Sequence, residues 1–180
     1  MRIETERLLL RNYKMSDLCD FYNLMNQENV ANRAGFYVVS DAKDAVNKLK
    51  FDVDNPLCFA IVDKQTDRVI GDIALVDMSL DTMNTYGIDK NSKVKEVQCC
   101  LSESFWGNGL MTEAMSAIVK VGIEELCLDA IVGACYSKNK ASEKVQIKCG
   151  LIPYKTDRNY VWRETGETCK AILSKITKEQ

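Results

Sequence analysis

Four patterns follow one another without interruption in the middle of the chain. These are an apolar run at Val94–Leu101, two glycines one residue apart (Gly107 and Gly109), a helical pattern from Leu110, and a second apolar run at Ala130–Tyr136. The segment therefore reads as strand, glycine turn, helix, strand. Glycine reaches backbone angles closed to other residues, so this turn can be tight and can lay its backbone against a ligand. The first turn of any helix presents N–H groups without intrahelical partners, which favours an anion, a phosphate above all. The same two glycines also satisfy a plain strand-to-helix turn, and the rest of the chain has to separate the two readings.

The segment does not fit the common nucleotide motifs. Thr112 stands where the third glycine of a dinucleotide fingerprint belongs, and the chain after residue 150 turns to hairpin strands instead of further βαβ units. No Gly-Lys-Ser/Thr follows the glycines, which excludes a triphosphate P-loop. Histidine is absent, which removes the Ser-His and Cys-His nucleophiles and the usual metal ligands together. Proton transfer must then use a carboxylate, a tyrosine, a thiol or water. The eight cysteines form no Cys-x-x-Cys pair, and Cys99 and Cys100 are neighbours on one strand and point to opposite faces. No metal is expected, and the thiols read as small packing residues of a reducing compartment.

With 24 basic and 26 acidic residues, the net charge of −2 gives no reason to expect a nucleic-acid partner and leaves an acidic substrate without an evident attractor. No apolar run is long enough to cross a membrane, and the charged start does not resemble a secretion signal, so the expected location is cytoplasmic.

The 180 residues fit one domain, with no repeat or linker. Residues 6–13 read as a first strand. Ser16 is placed to cap a helix reaching about residue 28, with Leu18, Phe21, Tyr22 and Met25 on one face. Residues 29–39 read as irregular, 41–52 as a second helix, and 58–62 with 69–76 as a hairpin. Residues 80–93 read as a surface loop. On the strand that follows, Glu96, Gln98 and Cys100 share one face, and Val97, Cys99 and Leu101 the other. The helix after the glycines runs to about 126. Asn139 can cap a helix over 140–149, and Gly150 ends it. Strands at 152–163 and 168–177 are joined by Glu164-Thr165-Gly166-Glu167.

Three stretches resemble the GNAT acetyl-CoA-dependent N-acetyltransferases, in the branch of the ribosomal-protein N-terminal acetyltransferases. They are Glu4-Thr5-Glu6-Arg7-Leu8-Leu9-Leu10-Arg11, Trp106-Gly107-Asn108-Gly109-Leu110-Met111-Thr112-Glu113-Ala114, and Asn139-Lys140-Ala141-Ser142 before Cys149-Gly150-Leu151. The resemblance implies a mixed α/β fold with a mostly antiparallel sheet of about seven strands and about four helices. Its fourth and fifth strands, here 94–101 and 130–136, splay apart to hold the pantetheine arm. It implies acetyl-CoA as co-substrate, with the pyrophosphate on backbone N–H groups from Gly107 through Asn108, Gly109, Leu110 and Met111 to Thr112, and Trp106 beside them in the cofactor site. Backbone N–H groups near Cys100 and Leu101 would hold the oxyanion. Asn139 would touch the pantetheine and Ser142 would stabilise the departing thiolate; as residues alone, they also fit a helix cap and a first-turn surface serine.

The implied reaction is direct attack of a neutral amine on the thioester. Glu96 is the candidate base, set against the ordinary role of a solvated strand glutamate. Dimerisation is common in such enzymes and is expected here. The chain departs from the pattern at Met111, where a small residue is usual, and at Gln98-Cys99, where Gly-Tyr is common in the branch. No tyrosine occupies the helix after Asn139, so Ser142 alone remains for the leaving group. Phe36, Tyr37, Tyr86, Tyr160 and Trp162 are the aromatic candidates for the acceptor pocket. The competing class is a non-catalytic acyl-CoA sensing module of the same fold.

Overall fold

In the computed structural model, which describes residues 1–162 and 165–178, the charged opening of the chain forms two short strands instead of the single strand expected over 6–13. They are β1 (Arg2–Glu4) and β2 (Leu8–Asn12). A tight turn separates them, closed by the Thr5 N–H donating to the Leu8 carbonyl at 3.0 Å. Alternate residues of β2, Leu8 and Leu10, are fully buried.

Ser16 does not cap the first helix. It lies in a 3-10 turn at Met15–Asp17, where the Asp17 carboxylate accepts from the Lys14 N–H at 2.8 Å and pairs with the Arg11 guanidinium at 2.7 Å. Helix α1 (Leu18–Met25) follows and ends before residue 28, burying Phe21, Leu24 and Met25. The stretch 29–39 is not irregular throughout, because α2 (Glu28–Ala34) opens it and Gly35, at φ 78°, closes that helix. Two turns of helix are too short for their periodicity to stand out in a sequence. Helix α3 (Ala42–Asp54) is capped by Asp41, which accepts from the Asp44 N–H at 2.9 Å, and packs on α1. Strands β3 (Cys58–Asp63) and β4 (Arg68–Asp77) form the expected antiparallel hairpin, and β3 is buried along its whole length.

The expected loop 80–93 also contains a helix, α4 (Leu80–Tyr86), which Ser79 caps by accepting from the Thr82 N–H at 3.1 Å and Gly87 ends at φ 65°. Strand β5 (Val94–Leu101), helix α5 (Leu110–Lys120), strand β6 (Ala130–Tyr136) and helix α6 (Lys140–Lys148) take the expected places. A π-helical turn at Val121–Glu125 extends α5 toward 126. Strands β7 (Ile152–Val161) and β8 (Thr168–Thr177) complete the order. Of their connection, Arg163 and Glu164 lie outside the described residues, while Gly166 takes the positive φ, 66°, that a turn glycine supplies.

The chain divides into two compact units. The first comprises Met1–Ala74 and Cys99–Ala114, together with Thr165; the second comprises Leu75–Gln98, Met115–Trp162 and the chain from Gly166. Strands β4 and β5 and helix α5 each contribute to both. The strands hydrogen-bond in the order β1-β2-β3-β4-β5-β6-β8-β7, and β5 with β6 is a parallel pair in an otherwise mostly antiparallel mixed α/β sheet. Among the described residues there are eight strands and six α-helices, beside the about seven and about four expected, in the expected mixed α/β fold. The N-terminal strand is split, and α2 and α4 are additional. Among the described residues no helix is long and apolar enough to cross a membrane.

Candidate active site

In the first unit the glycine turn has the geometry its sequence suggests. Gly107 and Gly109 have φ of 79° and 76°, a region in which other residues are strained. The Glu113 N–H donates to the Gly109 carbonyl at 3.0 Å, which makes Gly109 the residue from which α5 springs. A Cβ placed on Gly107 would meet nothing within 4 Å, so the outer side of the turn is open for a ligand to approach. Before the turn, the Trp106 indole N–H donates to the Leu101 carbonyl at 2.7 Å, and the Arg33 guanidinium lies 4.5 Å over its ring. Asn108 turns its amide inward, donating to the carbonyls of Phe105 and Trp106 at 3.3 and 3.2 Å. Leu110 is buried, whereas Met111 and Thr112 are half-buried.

The turn is clasped by residues to which sequence reasoning gave no role. Glu113 accepts from the Thr5 hydroxyl at 2.6 Å, the Arg7 N–H at 2.8 Å and the Arg7 guanidinium at 2.7 Å. Arg7 also donates to the Asn108 carbonyl at 2.9 Å. Burial works to raise the Glu113 carboxyl, but the Thr5 and Arg7 donors outweigh it and hold it below its usual range. Arg7 places a guanidinium 3.7 Å from where a Cβ on Gly109 would sit, with Glu113 as its ion-pair partner. On the other flank, the Gln27 side chain accepts from the Glu103 N–H at 2.9 Å and bonds the Ser102 hydroxyl at 3.0 Å, tying the start of α2 to the end of β5.

At that end of β5, Cys100 and Leu101 are both buried. Neighbouring β4 comes so close that a Cβ on Gly71 would lie 2.7 Å from the Cys100 carbonyl oxygen, an approach that only glycine allows. The alternation expected for β5 is blurred, because Glu96 and Val97 are both buried as well.

In the second unit, the parallel pairing of β5 with β6 runs Val94↔Ala130, Lys95↔Ile131, Glu96↔Val132 and stops there, although both strands continue. Strand β6 keeps its partner on the other side, β8, through Tyr136. The two strands therefore part at Glu96. This glutamate is 4% exposed, unlike a solvated strand residue. Its Oε1 accepts from the Tyr86 hydroxyl at 2.9 Å and the Tyr160 hydroxyl at 3.3 Å. Burial, and then the Glu96 charge, push the Tyr86 phenol well above its usual range, so it stays a donor. Tyr86 is the last residue of the unexpected helix α4, and its own carbonyl accepts from the Tyr154 hydroxyl at 2.7 Å.

Of the five aromatic candidates, Tyr86, Tyr160 and Trp162 come together here. Trp162 lies against Tyr160 and Tyr136 with ring centroids 5.1 and 4.6 Å away. Phe36 and Tyr37 belong to the first unit and are not part of this cluster. Phe36 lies under Lys48, and the 67% exposed Tyr37 donates from its hydroxyl to the Thr165 carbonyl.

Asn139 caps α6, its Oδ1 accepting from the Ser142 N–H at 3.2 Å. Ser142 is half-buried in the first turn of that helix, with the Gln146 amide nitrogen 3.4 Å from its hydroxyl oxygen.

Five of the cysteines are held away from the thiolate form. Burial, followed by the Asp72 charge, pushes the thiols of Cys58 and Cys100 up, and burial raises Cys135, Cys149 and Cys169 too. Cys19 and Cys127 are exposed, contrary to the expectation of uniform packing. Asp52, Cys58 and Asp72 bring one ligand atom each to within 4.8 Å of one another.

With this geometry in view, the relatives are informative. The family of the acetyltransferase (GNAT) domain matches residues 7–152, and the chain belongs to that family. It is an acetyltransferase of this class. An uncharacterized N-acetyltransferase of Bacillus subtilis (strain 168), YnaD, is 29% identical over 153 residues, which cover 84% of this chain and 82% of the relative. Among solved structures, a GNAT-family acetyltransferase from Bacillus anthracis superposes with a TM-score of 0.84 at 19% identity, covering 100% of both chains. The ribosomal-protein-S5-alanine acetyltransferase of Vibrio fischeri gives 0.80 at 19% identity, over 100% of this chain and 98% of its own. Spermidine N-acetyltransferase of Vibrio cholerae, solved with CoA and spermine, gives 0.77 at 16% identity, over 97% and 98%. At such identities the superpositions establish a common fold.

Proposed function

We propose that this chain transfers an acetyl group from acetyl-CoA to a primary amine by direct attack, acting over its whole length as one cytoplasmic acetyltransferase domain and as a homodimer. The observation that carries the reading is the parting of β5 and β6 at Glu96, which sets a buried, doubly hydrogen-bonded carboxylate where the two strands separate. The open glycine turn supports it, since positive φ at Gly107 and Gly109 and the cation of Arg7 suit a pyrophosphate on the N–H groups from Gly107 to Thr112. Asn139 is the contact for the pantetheine arm.

In this reading an acceptor amine sheds a proton before or during attack, because amines are mostly protonated near neutral pH. Glu96 takes that proton directly or through water while the nitrogen bonds to the thioester carbonyl carbon. The N–H groups near Cys100 and Leu101 receive the developing oxyanion. When the carbon–sulfur bond breaks, the electron pair goes to sulfur and the Ser142 hydroxyl donates to the thiolate. The raised thiols and the lack of histidine argue against a covalent cysteine route. The acceptor is a protein N-terminus, a free polyamine or a drug amine; the fold neighbours include a ribosomal-protein-S5-alanine acetyltransferase and a spermidine N-acetyltransferase.

The test is release of CoA from acetyl-CoA across a panel of peptide N-termini, polyamines and aminoglycosides. Turnover with at least one amine is expected. Glu96→Gln, which can still accept from both phenols, should lower kcat by about 100-fold or more with little change in KM for acetyl-CoA. Binding of acetyl-CoA without turnover of any amine would favour the sensing module, and wild-type kcat in Glu96→Gln would remove the base.

A further inference from the structure

We propose that Gln146, set by Ser174 and given room by Gly133, is a positioning residue that turns the Ser142 hydroxyl into a hydrogen-bond donor for the departing thiolate. The inference rests on the role given to Ser142 above. Gln146 is the buried residue of α6, 4% exposed, and Ser174 on β8 is 1% exposed. An apolar side chain at 146 would fill this place with no need of partners, whereas a buried amide is costly unless it is satisfied. Here it is satisfied from three sides. The Ser174 hydroxyl donates to Gln146 Oε1 in a close contact, and Gln146 Nε2 lies 3.4 Å from both the Ala134 carbonyl oxygen and the Ser142 hydroxyl oxygen.

The Ala134 carbonyl decides which way round the amide sits. A carbonyl only accepts, so the nitrogen of the amide must face it, and Oε1 must face Ser174. Ser142 lies on the nitrogen side and is therefore given an N–H. With its oxygen accepting from Gln146, its own hydrogen is directed elsewhere. The hydroxyl, accepting from Gln146, is thus left with its hydrogen to donate to a sulfur brought beside it. Gly133 on β6 belongs to the same device, since a Cβ there would crowd Gln146 Oε1 at 3.1 Å. Glycine stands at 133 to make room, with no special backbone angle to explain it.

The experiment is a double-mutant cycle on single-turnover rates with acetyl-CoA and the best amine of the panel. Gln146→Leu should slow acetyl transfer by about 3–10-fold, the equivalent of one ordinary hydrogen bond, with KM for acetyl-CoA nearly unchanged. On a Ser142→Ala background the same substitution should have no further effect, because the hydroxyl it orients is gone. Ser174→Ala, which keeps the helix intact, should give a smaller loss that also disappears in Ser142→Ala and serves if Gln146→Leu does not fold. If Ser142→Ala is slow but neither second substitution slows the wild-type enzyme, or if their losses multiply with that of Ser142→Ala, the positioning role is overturned while the Ser142 role stands. A wild-type rate in Ser142→Ala would overturn the Ser142 role and the positioning role with it.

Discussion

Glu113 bears on both the stability and the glycine turn of this acetyltransferase, since it gathers Thr5, Arg7 and, through Arg7, Asn108. Removing its charge with Glu113→Gln should cost about 1 kcal/mol near neutral pH, a modest figure because the Arg7 side chain is 46% exposed and partly screened. The carboxyl is held below its usual range in the folded chain, so this contribution is present above the unfolded carboxylate value of about 4.3 and fades as pH falls through the lower folded value. The melting temperatures of wild type and Glu113→Gln should therefore converge below about pH 4. A gap that persists in acid would mean that Glu113 acts through packing. The sequence already held both halves of this clasp, in Arg7 and in Glu113, but 106 positions apart. No local pattern says that one donates to the other. Glu96 is similar: its strand and its candidacy were legible, whereas its burial depends on Tyr86 and Tyr160 arriving from distant segments.

Among the elements, the glycine turn was the most legible, because positive φ at Gly107 and Gly109 is a local demand that only the local sequence can meet. Gly109→Val should cost about 2 kcal/mol in strain and weaken CoA binding at least about tenfold, since the side chain blocks approach of a phosphate to the backbone. Calorimetry on the folded variant checks this, and unchanged affinity would end the phosphate reading of the turn. The misread elements were α2 and α4, both of seven residues. Each has good stop signals in Gly35 and Gly87, and α4 also has its cap in Ser79. Elements of this length carry too few apolar positions to establish a period, and packing decides whether they form. The miss at α4 matters, because that helix delivers Tyr86 to Glu96.

For the molecule as a whole, acetyl-CoA should act as a folding ligand. At about 100 times its dissociation constant it would add about 2.7 kcal/mol, which for a chain of this size raises the melting temperature by about 5–10 °C. Thermal melting with and without acetyl-CoA measures this, and an unmoved transition would contradict specific binding. Light scattering should return twice the chain mass of 20.3 kDa. The sequence by itself determined the family, the order of strands and helices around the glycine turn, and the residue types available for chemistry in a chain without histidine. These depend on backbone demands and periodicities that act over a few residues. The tertiary structure alone decided where β5 and β6 separate, that Glu96 is buried beneath two phenols, and that an amide on α6 meets a hydroxyl on β8. Those are contacts between segments far apart in the chain, and their geometry comes from the packing of the sheet and helices that carry them.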